Sequence, residues 1–222
     1  MIIAIDGPAG AGKSTVAKEL AKRLGYQLVD TGAMYRAVAF EALRAGADLG
    51  DEEAVATIAE TLRFEFRFLD GENVVFCNDH ALEQEIRTAE VSRAASIISA
   101  HPRVREAMVA QQRRVGRERS SVLEGRDIGT VVFPDAEVKA FVTASAEIRA
   151  RRRLCQMEEC GEEGEYDEVL AEIVARDKRD TERDVAPLKQ ADDALFLDTS
   201  QMAVEEVIAE LTEVVLDAKD DE

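Results

Sequence analysis

The sequence predicts an α/β fold built on a parallel sheet, and two observations support that prediction. Short apolar runs alternate along the chain with longer amphipathic stretches. A glycine-rich segment follows the first run and leads directly into the first amphipathic stretch. Because strand–helix alternation implies right-handed crossovers, helices cover both faces of such a sheet. We therefore expect one three-layer domain, spanning residues 1–222, with a five-stranded parallel sheet in the middle.

The predicted strands are short, apolar and mostly bounded by charged or turn residues, as buried parallel strands are. They are 2–6, 27–30, 121–124, 138–142 and 194–197. Among the helical stretches, residues 204–215 keep the i, i+3, i+4, i+7 spacing of a single buried face. Residues 105–117 also have a helical pattern, which starts after Pro102.

The segment from about residue 62 to residue 82 breaks this alternation. Three phenylalanines there alternate with other residues, namely Phe64, Phe66 and Phe68, and Asp70-Gly71 is a turn signal. This pattern is typical of an antiparallel hairpin with one apolar face. Two interpretations are open: the hairpin caps an exposed edge of the core, or it belongs to a small subdomain that closes over a substrate.

The glycine-rich segment matches the phosphate-binding pattern G-x-x-x-x-G-K-[ST], and it lies between a strand and a helix as that pattern requires. Its residues are Gly7, Pro8, Ala9, Gly10, Ala11, Gly12, Lys13, Ser14 and Thr15. Glycines let backbone N–H groups curl around a polyphosphate such as that of ATP, and the helix N-terminus adds its positive dipole end. We expect Lys13 to reach the outer phosphates. We expect the Ser14 hydroxyl to bind Mg²⁺, which prefers oxygen ligands.

The formal net charge of −18 argues against general binding of nucleic acid, which draws its affinity from neutralised phosphates. Any phosphate site must therefore be local. The chain has 21 arginines and 7 lysines, and arginines cluster at 149–153 and at 176–183. A planar guanidinium can hold phosphate oxygens in a bidentate fork. For the first cluster, phosphate binding and mere decoration of an acidic helix are equally open.

The chain has no apolar run near the roughly 18 residues of a membrane helix, and no basic segment followed by an apolar one marks a secretory signal. We expect a cytoplasmic monomer that binds no membrane. The three cysteines, Cys77, Cys155 and Cys160, have no C-x-x-C spacing. We therefore expect reduced thiols that act as packing residues.

The chain lacks features of other proteins that use such a loop. It contains neither the guanine-reading N-K-x-D pattern of regulatory GTPases nor their D-x-x-G pattern. A motor or transporter ATPase would be longer and would carry an apolar run ending in a metal-binding aspartate, which residues 122–127 match only in part. The pattern favours a small phosphotransferase that holds ATP on the loop and an acceptor between the insertion and the arginine clusters.

Several segments together resemble the bacterial cytidylate kinase family. They are the phosphate loop, D-T-G-A-M-Y-R at 30–36, P-R-V-R-E at 102–106, G-R-D-I-G-T-V-V-F-P at 125–134 and the segment 176–188. The antiparallel insertion and the segment 125–134 distinguish this family from other nucleoside monophosphate kinases. The resemblance implies an adenylate-kinase-like core. It implies a core at about 1–35, 102–150 and 190–222, an acceptor-binding insertion at about 36–101 and a short lid at about 151–189.

The same resemblance implies transfer of the γ-phosphoryl group from MgATP to CMP or dCMP. It implies a set of acceptor-binding residues, Thr31, Arg36, Ser96, Arg105, Arg126, Asp127, Arg176, Asp180 and Arg183. Lys13, Arg176 and Arg183 would stabilise the charge of the transferred group, with Arg152 or Arg153 as helpers. Thr31 replaces a serine of some family members, so it keeps the hydroxyl and adds a methyl group.

The chemistry of cytosine agrees with this set. Cytosine offers an amino donor at N4 and acceptors at N3 and O2, so the carboxylate of Asp127 can accept from N4 while serine and arginine donate to the others. Uracil inverts that pattern and would leave buried polar groups unpaired. Three alternatives stay open: a different acceptor such as UMP, a noncatalytic nucleotide sensor, and, for Arg126, a structural pairing with a nearby carboxylate.

Overall fold

The computed structural model describes residues 1–69, 72–159, 161 and 163–220. The strands are β1 (Ile2–Asp6), β2 (Gln27–Asp30), β3 (Phe64–Leu69), β4 (Glu72–Cys77), β5 (His80–Leu82), β6 (Ser121–Gly125), β7 (Val138–Thr143) and β8 (Leu195–Asp198). The α-helices are α1 (Lys13–Leu24), α2 (Thr31–Arg44), α3 (Glu52–Thr61), α4 (Ala89–Ile98), α5 (Pro102–Gly116), α6 (Ala146–Glu159), α7 (Tyr166–Glu182) and α8 (Val204–Asp220). A 3₁₀ turn precedes α4 at Glu85–Arg87, and a π-helical turn follows β6 at Ile128–Val132.

Five strands form the predicted parallel sheet, in the order β2-β6-β1-β7-β8. The central strand β1 pairs with β6 through Ile2 opposite Ser121, and with β7 through Ile3 opposite Val138. The strand predictions are confirmed to within one residue at each end. The helix predicted at 105–117 begins earlier, because Pro102 itself occupies its first turn, where its missing N–H is no loss.

Helices cover both faces of the sheet, so the three-layer prediction is confirmed. Along β1, Ile3 and Ile5 face one apolar core while Ala4 faces the other, as the two-residue period of a strand requires. The first core includes Val16 and Leu20 of α1 and, from the predicted face of α8, Val207, Ile208, Leu211 and Val215. Val204, where that face was predicted to begin, is 40% exposed. The second core includes residues of α2, α3, α4 and α5.

The antiparallel insertion is confirmed, and it has one strand more than the sequence predicted. β3, β4 and β5 form a separate sheet, with Phe64 and Phe66 buried and Phe68 61% exposed. Asn78 and Asp79 connect β4 to β5, and their φ angles of 48° and 66° match the type I′ turn that joins hairpin strands. The predicted turn at Asp70-Gly71 lies outside the described residues.

Within the described residues, no helix is both long enough and apolar enough to cross a membrane. Cys77 is a free, buried thiol, as expected of a reduced packing residue, whereas Cys155 is free but exposed, so the expectation that it packs in the core is wrong. Burial raises the pKa of Cys77 to about 11, so its thiol stays protonated at neutral pH. Cys160 lies outside the described part of the chain.

Candidate nucleotide site

The phosphate loop joins the end of β1 to the start of α1 in a conformation that requires glycine. Gly7, Gly10 and Gly12 have φ angles of 146°, 77° and 92°. A Cβ atom on Gly7 would lie 1.9 Å from the carbonyl oxygen of Val142, at the end of β7. The loop therefore lies directly against the sheet, and its shape suits the curled backbone that holds a polyphosphate such as that of ATP.

Lys13 is the first residue of α1, and its side chain turns back over the loop. It is 5% exposed, and its Nζ donates to the carbonyl oxygen of Pro8 at 2.7 Å. Burial lowers the pKa of Lys13, and the neighbouring positive charge of Arg126 lowers it further. An anionic ligand at the mouth of the loop would favour the charged form of this amino group.

Ser14 and Glu124 form an oxygen-rich corner beside Lys13. The Ser14 hydroxyl donates to a Glu124 carboxylate oxygen at 2.8 Å, and the backbone carbonyl of Glu124 accepts from the Thr31 hydroxyl at 2.6 Å. Burial raises the pKa of Glu124, and the nearby charge of Asp30 raises it further. Because Mg²⁺ prefers hydroxyl and carboxylate oxygens, this donor set fits a magnesium ion.

Asp6 connects the end of β1 to the π-helical turn. Its carboxylate oxygens accept from the backbone N–H groups of Ile128 at 2.8 Å and Gly129 at 2.7 Å. Burial raises the pKa of Asp6 to about 6 even though these hydrogen bonds oppose the change. Asp127 immediately precedes this turn, so the two hydrogen bonds also help to fix where Asp127 lies.

A cleft of about 510 Å³ extends from the loop, with α2, α4, α5, the end of β6 and α7 around it. The structure brings all the predicted acceptor residues into its lining together with the loop residues Ala9, Gly10, Lys13 and Ser14. These acceptor residues are Thr31, Arg36, Ser96, Arg105, Arg126, Asp127, Arg176, Asp180 and Arg183. The remaining predicted loop residues lie outside this lining. They are Gly7, Pro8, Ala11, Gly12 and Thr15.

Asp127 lies between two arginines from distant parts of the chain. Arg105, on α5, donates from Nη2 to one carboxylate oxygen and from Nη1 to the carbonyl oxygen of Ser99 at 3.2 Å. Arg183, just after α7, places Nη2 3.7 Å from the other carboxylate oxygen. The Arg105 and Asp127 side chains are only 3% and 7% exposed, so this is a buried ion pair.

Arg126 pairs with Asp180 on α7, which agrees with the structural alternative considered for this arginine. Its Nε donates to the Asp180 carboxylate at 3.0 Å and its Nη1 to the carbonyl oxygen of Gly125 at 3.1 Å. Burial acts to raise the pKa of Asp180, but Arg126 and Arg176 outweigh it and hold that pKa below its usual value. The same carboxylate therefore joins two arginines of the cleft.

Several buried guanidinium nitrogens in this cleft have no hydrogen-bond partner among the residues that the structure describes. They are Nε of Arg36, Arg105 and Arg176, and Nη2 of Arg183. Burial lowers the pKa of Arg176 to about 10, and the charge of Arg126 adds to the effect. Because buried donors are normally paired, four unpaired ones in one cleft indicate that an anionic ligand belongs there.

The arginine cluster at 149–153 divides between two roles. Arg149 is buried, donates to both carboxylate oxygens of Asp177 at 3.0 Å and 2.5 Å, and reaches the carbonyl oxygen of Ala9 at 3.1 Å. It therefore ties α6 and α7 to the phosphate loop. Arg152 donates to Thr199, after β8, and both Arg152 and Arg153 line the cleft.

Sequence reasoning did not assign site roles to Asp6, Glu124 or Arg179. Arg179 lines the cleft and lies three residues after Arg176, a spacing that puts two side chains on the same face of a helix. Asp6 and Glu124 end the apolar runs of neighbouring parallel strands, whose carboxyl ends meet at one edge of the sheet. Both signals were present in the sequence. The loop, the doubly covered sheet and the arginine-lined cleft define an α/β protein of the P-loop kinase class.

A comparison with known families identifies the member of that class. The sequence model of the cytidylate kinase family matches residues 3–217. The chain belongs to the cytidylate kinase family.

Individual relatives agree with that assignment. A curated cytidylate kinase of Pasteurella multocida (strain Pm70) is 47% identical over 210 residues, which cover 95% of this chain and 92% of the relative. One of Geobacter sp. (strain M21) is 49% identical over 209 residues, covering 94% and 89%. Among solved structures, an uncharacterized protein from Eubacterium ventriosum ATCC 27560 matches with a TM-score of 0.53 at 14% identity, covering 96% of both chains. That last likeness concerns the fold alone.

Proposed function

We propose that this protein transfers the γ-phosphoryl group of ATP to CMP or dCMP, giving ADP and CDP or dCDP. The observation that carries the proposal is that the phosphate loop and several arginines line one cleft, together with the carboxylate of Asp127. A donor nucleotide on the loop and an acceptor among the arginines would meet there. The family assignment supports the same reaction.

On the donor side, Lys13 and the loop backbone would bind the β- and γ-phosphates. Ser14, with Glu124 beside it, would hold Mg²⁺, which when bound offsets the charge of the phosphate oxygens. In the proposal, Lys13 moves from the carbonyl of Pro8 to the phosphates. That contact returns a counter-charge to a buried ammonium group and so raises its lowered pKa.

On the acceptor side, the unpaired nitrogens of Arg36, Arg176 and Arg183 would receive phosphate oxygens. Phosphoryl transfer requires positioning and charge compensation rather than covalent work by the protein. The acceptor phosphate is already largely a dianion at neutral pH, because its second pKa is about 6, so no side chain must act as a general base. Arg126 and Asp180 hold one another in place, and Asp180 with Arg176 would lie near the acceptor sugar.

Base selection would depend on Asp127, Arg105 and Ser96. In the proposal, the Asp127 carboxylate accepts from the N4 amino group of cytosine, Ser96 donates to N3 and Arg105 donates to O2. No observation favours UMP as the acceptor. The insertion at about 36–101 and the lid at about 151–189 would close over both nucleotides and exclude water, which otherwise would compete for the phosphoryl group.

The proposed reaction assigns every catalytic and binding role to residues of this chain, so we propose a monomer as the active unit. ATP and the acceptor belong to the nucleotide pool of the cytoplasm, so the proposed reaction implies a cytoplasmic protein. Neither inference requires a nucleic-acid or membrane partner.

The test is the rate of ADP formation from MgATP with CMP, dCMP, UMP, AMP or GMP, and without an acceptor. We expect fast turnover with CMP and dCMP only. Preference for another nucleotide would overturn the assigned acceptor while keeping the kinase class. ADP formation independent of the acceptor would overturn the transfer reaction itself.

A further inference from the structure

We propose that Arg179 is a positioning residue that fixes the Ser96 hydroxyl as a hydrogen-bond donor, and thereby selects an acceptor base whose ring nitrogen N3 carries no proton. This inference deepens the proposed function and rests on it. Its structural basis is one contact across the cleft, between α7 and α4.

Two nitrogens of one guanidinium converge on one hydroxyl oxygen. Nε and Nη2 of Arg179 each lie 3.3 Å from Oγ of Ser96. Ser96 is 7% exposed, whereas Arg179 reaches it from an exposed position on α7. Among hydrogen bonds between described residues, these two alone join α7 to α4. The Arg179 fork is therefore the contact that determines how Ser96 presents its hydroxyl to the cleft.

The fork limits what Ser96 can do. A serine hydroxyl has one proton to donate and two lone pairs with which to accept, whereas a guanidinium only donates. Two N–H groups directed at Oγ therefore use its capacity to accept. The Ser96 proton has no acceptor among the described residues, so it is left for a molecule in the cleft. Ser96 can donate to that molecule but cannot also accept from it.

This restriction distinguishes the two pyrimidine bases. N3 of cytosine is an acceptor, but N3 of uracil carries a proton. A serine free to rotate its hydroxyl could serve either base, donating to the first and accepting from the second. With its lone pairs occupied by Arg179, Ser96 can form a hydrogen bond with N3 of cytosine only. With uracil, the Ser96 O–H and the N3–H of the base would face each other, and neither would have an acceptor. Mismatched buried polar groups give much stronger discrimination than mismatched apolar contacts.

The placement of Arg179 is not one that favours stability. Burial and Arg126 are the main causes that lower the pKa of Arg176, and Arg179 adds a further like charge nearby. Asp180 offsets the mutual repulsion of these three arginines only in part, because the pKa of Arg176 remains lowered. The neighbouring Lys178 instead faces solvent, with 69% of its side chain exposed, and pairs with Glu182 on its own helix. It provides a matched control on the same turn of α7.

The experiment compares kcat/KM for CMP and for UMP in the full-length protein and its variants. Arg179→Met should narrow the CMP/UMP ratio by about tenfold or more, through a gain with UMP as well as a loss with CMP. Arg179→Lys should keep part of the ratio, because an ammonium group also only donates. Lys178→Met should leave the ratio and the CMP rate unchanged.

A double-mutant cycle separates this role from a structural one. In a Ser96→Ala background, Arg179→Met should change the ratio by less than about twofold, because the hydroxyl on which Arg179 acts is gone. An unchanged ratio in Arg179→Met, or the same loss with and without the Ser96 hydroxyl, would overturn the inference. If the wild-type protein turns over CMP but Arg179→Met keeps its ratio, only this inference fails. If the wild type does not turn over CMP, the proposed function fails as well.

Discussion

The donor and acceptor sides of the cleft are held in place by different means. On the donor side, one continuous segment curls against the sheet, and Lys13 is held by a backbone carbonyl of that same segment. On the acceptor side, ion pairs join residues from distant parts of the chain, as Arg105 with Asp127 and Arg126 with Asp180 do. Substitutions on the donor side should therefore impair catalysis, and substitutions on the acceptor side should impair both catalysis and folding.

The largest effect is expected on the acceptor side. Asp127→Ala should lower the free energy of unfolding by about 3–5 kcal/mol, because it leaves Arg105 buried without its counter-charge. It should also abolish most turnover of CMP. Urea denaturation and steady-state kinetics measure the two losses, with Asp135→Ala as the control because Asp135 is exposed. Unchanged kinetics with CMP would refute the role of Asp127 in base recognition, and a stability loss under about 1 kcal/mol would refute the contrast between the two sides.

A substitution on the donor side should impair catalysis without lowering stability. Lys13→Met should lower kcat by about 10²–10³-fold, because the loop loses the charge that offsets the developing negative charge. Its stability should be maintained or increased, because a buried ammonium costs desolvation energy that a methionine does not. The measurements are ADP formation and thermal unfolding, with Lys22→Met, exposed on the same helix, as the control. Phosphoryl transfer at the full rate would contradict the assignment of Lys13.

A smaller effect is expected in the dependence of stability on pH. The pKa of Asp6 is raised from 3.8 to about 6, so the folded protein binds this proton more tightly than the unfolded chain. The resulting stabilisation is fully present below about pH 3.8 and is lost as the pH rises through about 6. It amounts to at most about 3 kcal/mol. The difference in unfolding free energy between wild type and Asp6→Asn should therefore decline from pH 4 to pH 7, and a difference independent of pH would show that the pKa of Asp6 is not raised.

Features set by local sequence could be predicted, and those set by distant contacts largely could not. The phosphate loop and the five strands follow from short patterns whose physical meaning is local, namely glycine conformation and apolar runs. The third strand of the insertion was missed although Asn78-Asp79 is a turn signal, because β5 has only three residues and no alternating pattern. β5 is a strand because it pairs with β4, and its own sequence has no strand pattern.

In the site, too, the residues whose roles depend on distant contacts were the ones that could not be predicted. The sequence alone left the cluster at 149–153 undecided, because an arginine on an acidic helix looks the same whether it binds a ligand or a neighbouring helix. Folding separates the cases: Arg149 binds Asp177 and the loop backbone, while Arg153 lines the cleft. Arg179 was not assigned because its partner, Ser96, lies 83 residues away. The family resemblance supplied the acceptor set that local patterns could not.

The central position of β1 also affects how the chain folds during synthesis. Its two neighbours in the sheet, β6 and β7, begin at Ser121 and Val138. At about 5–20 residues per second, a ribosome takes roughly 6–24 s to make the intervening chain. Over that interval both edges of an apolar strand lack their native partners. We expect this nascent chain to depend on chaperones that shield apolar segments until the carboxyl-terminal half of the sheet has emerged.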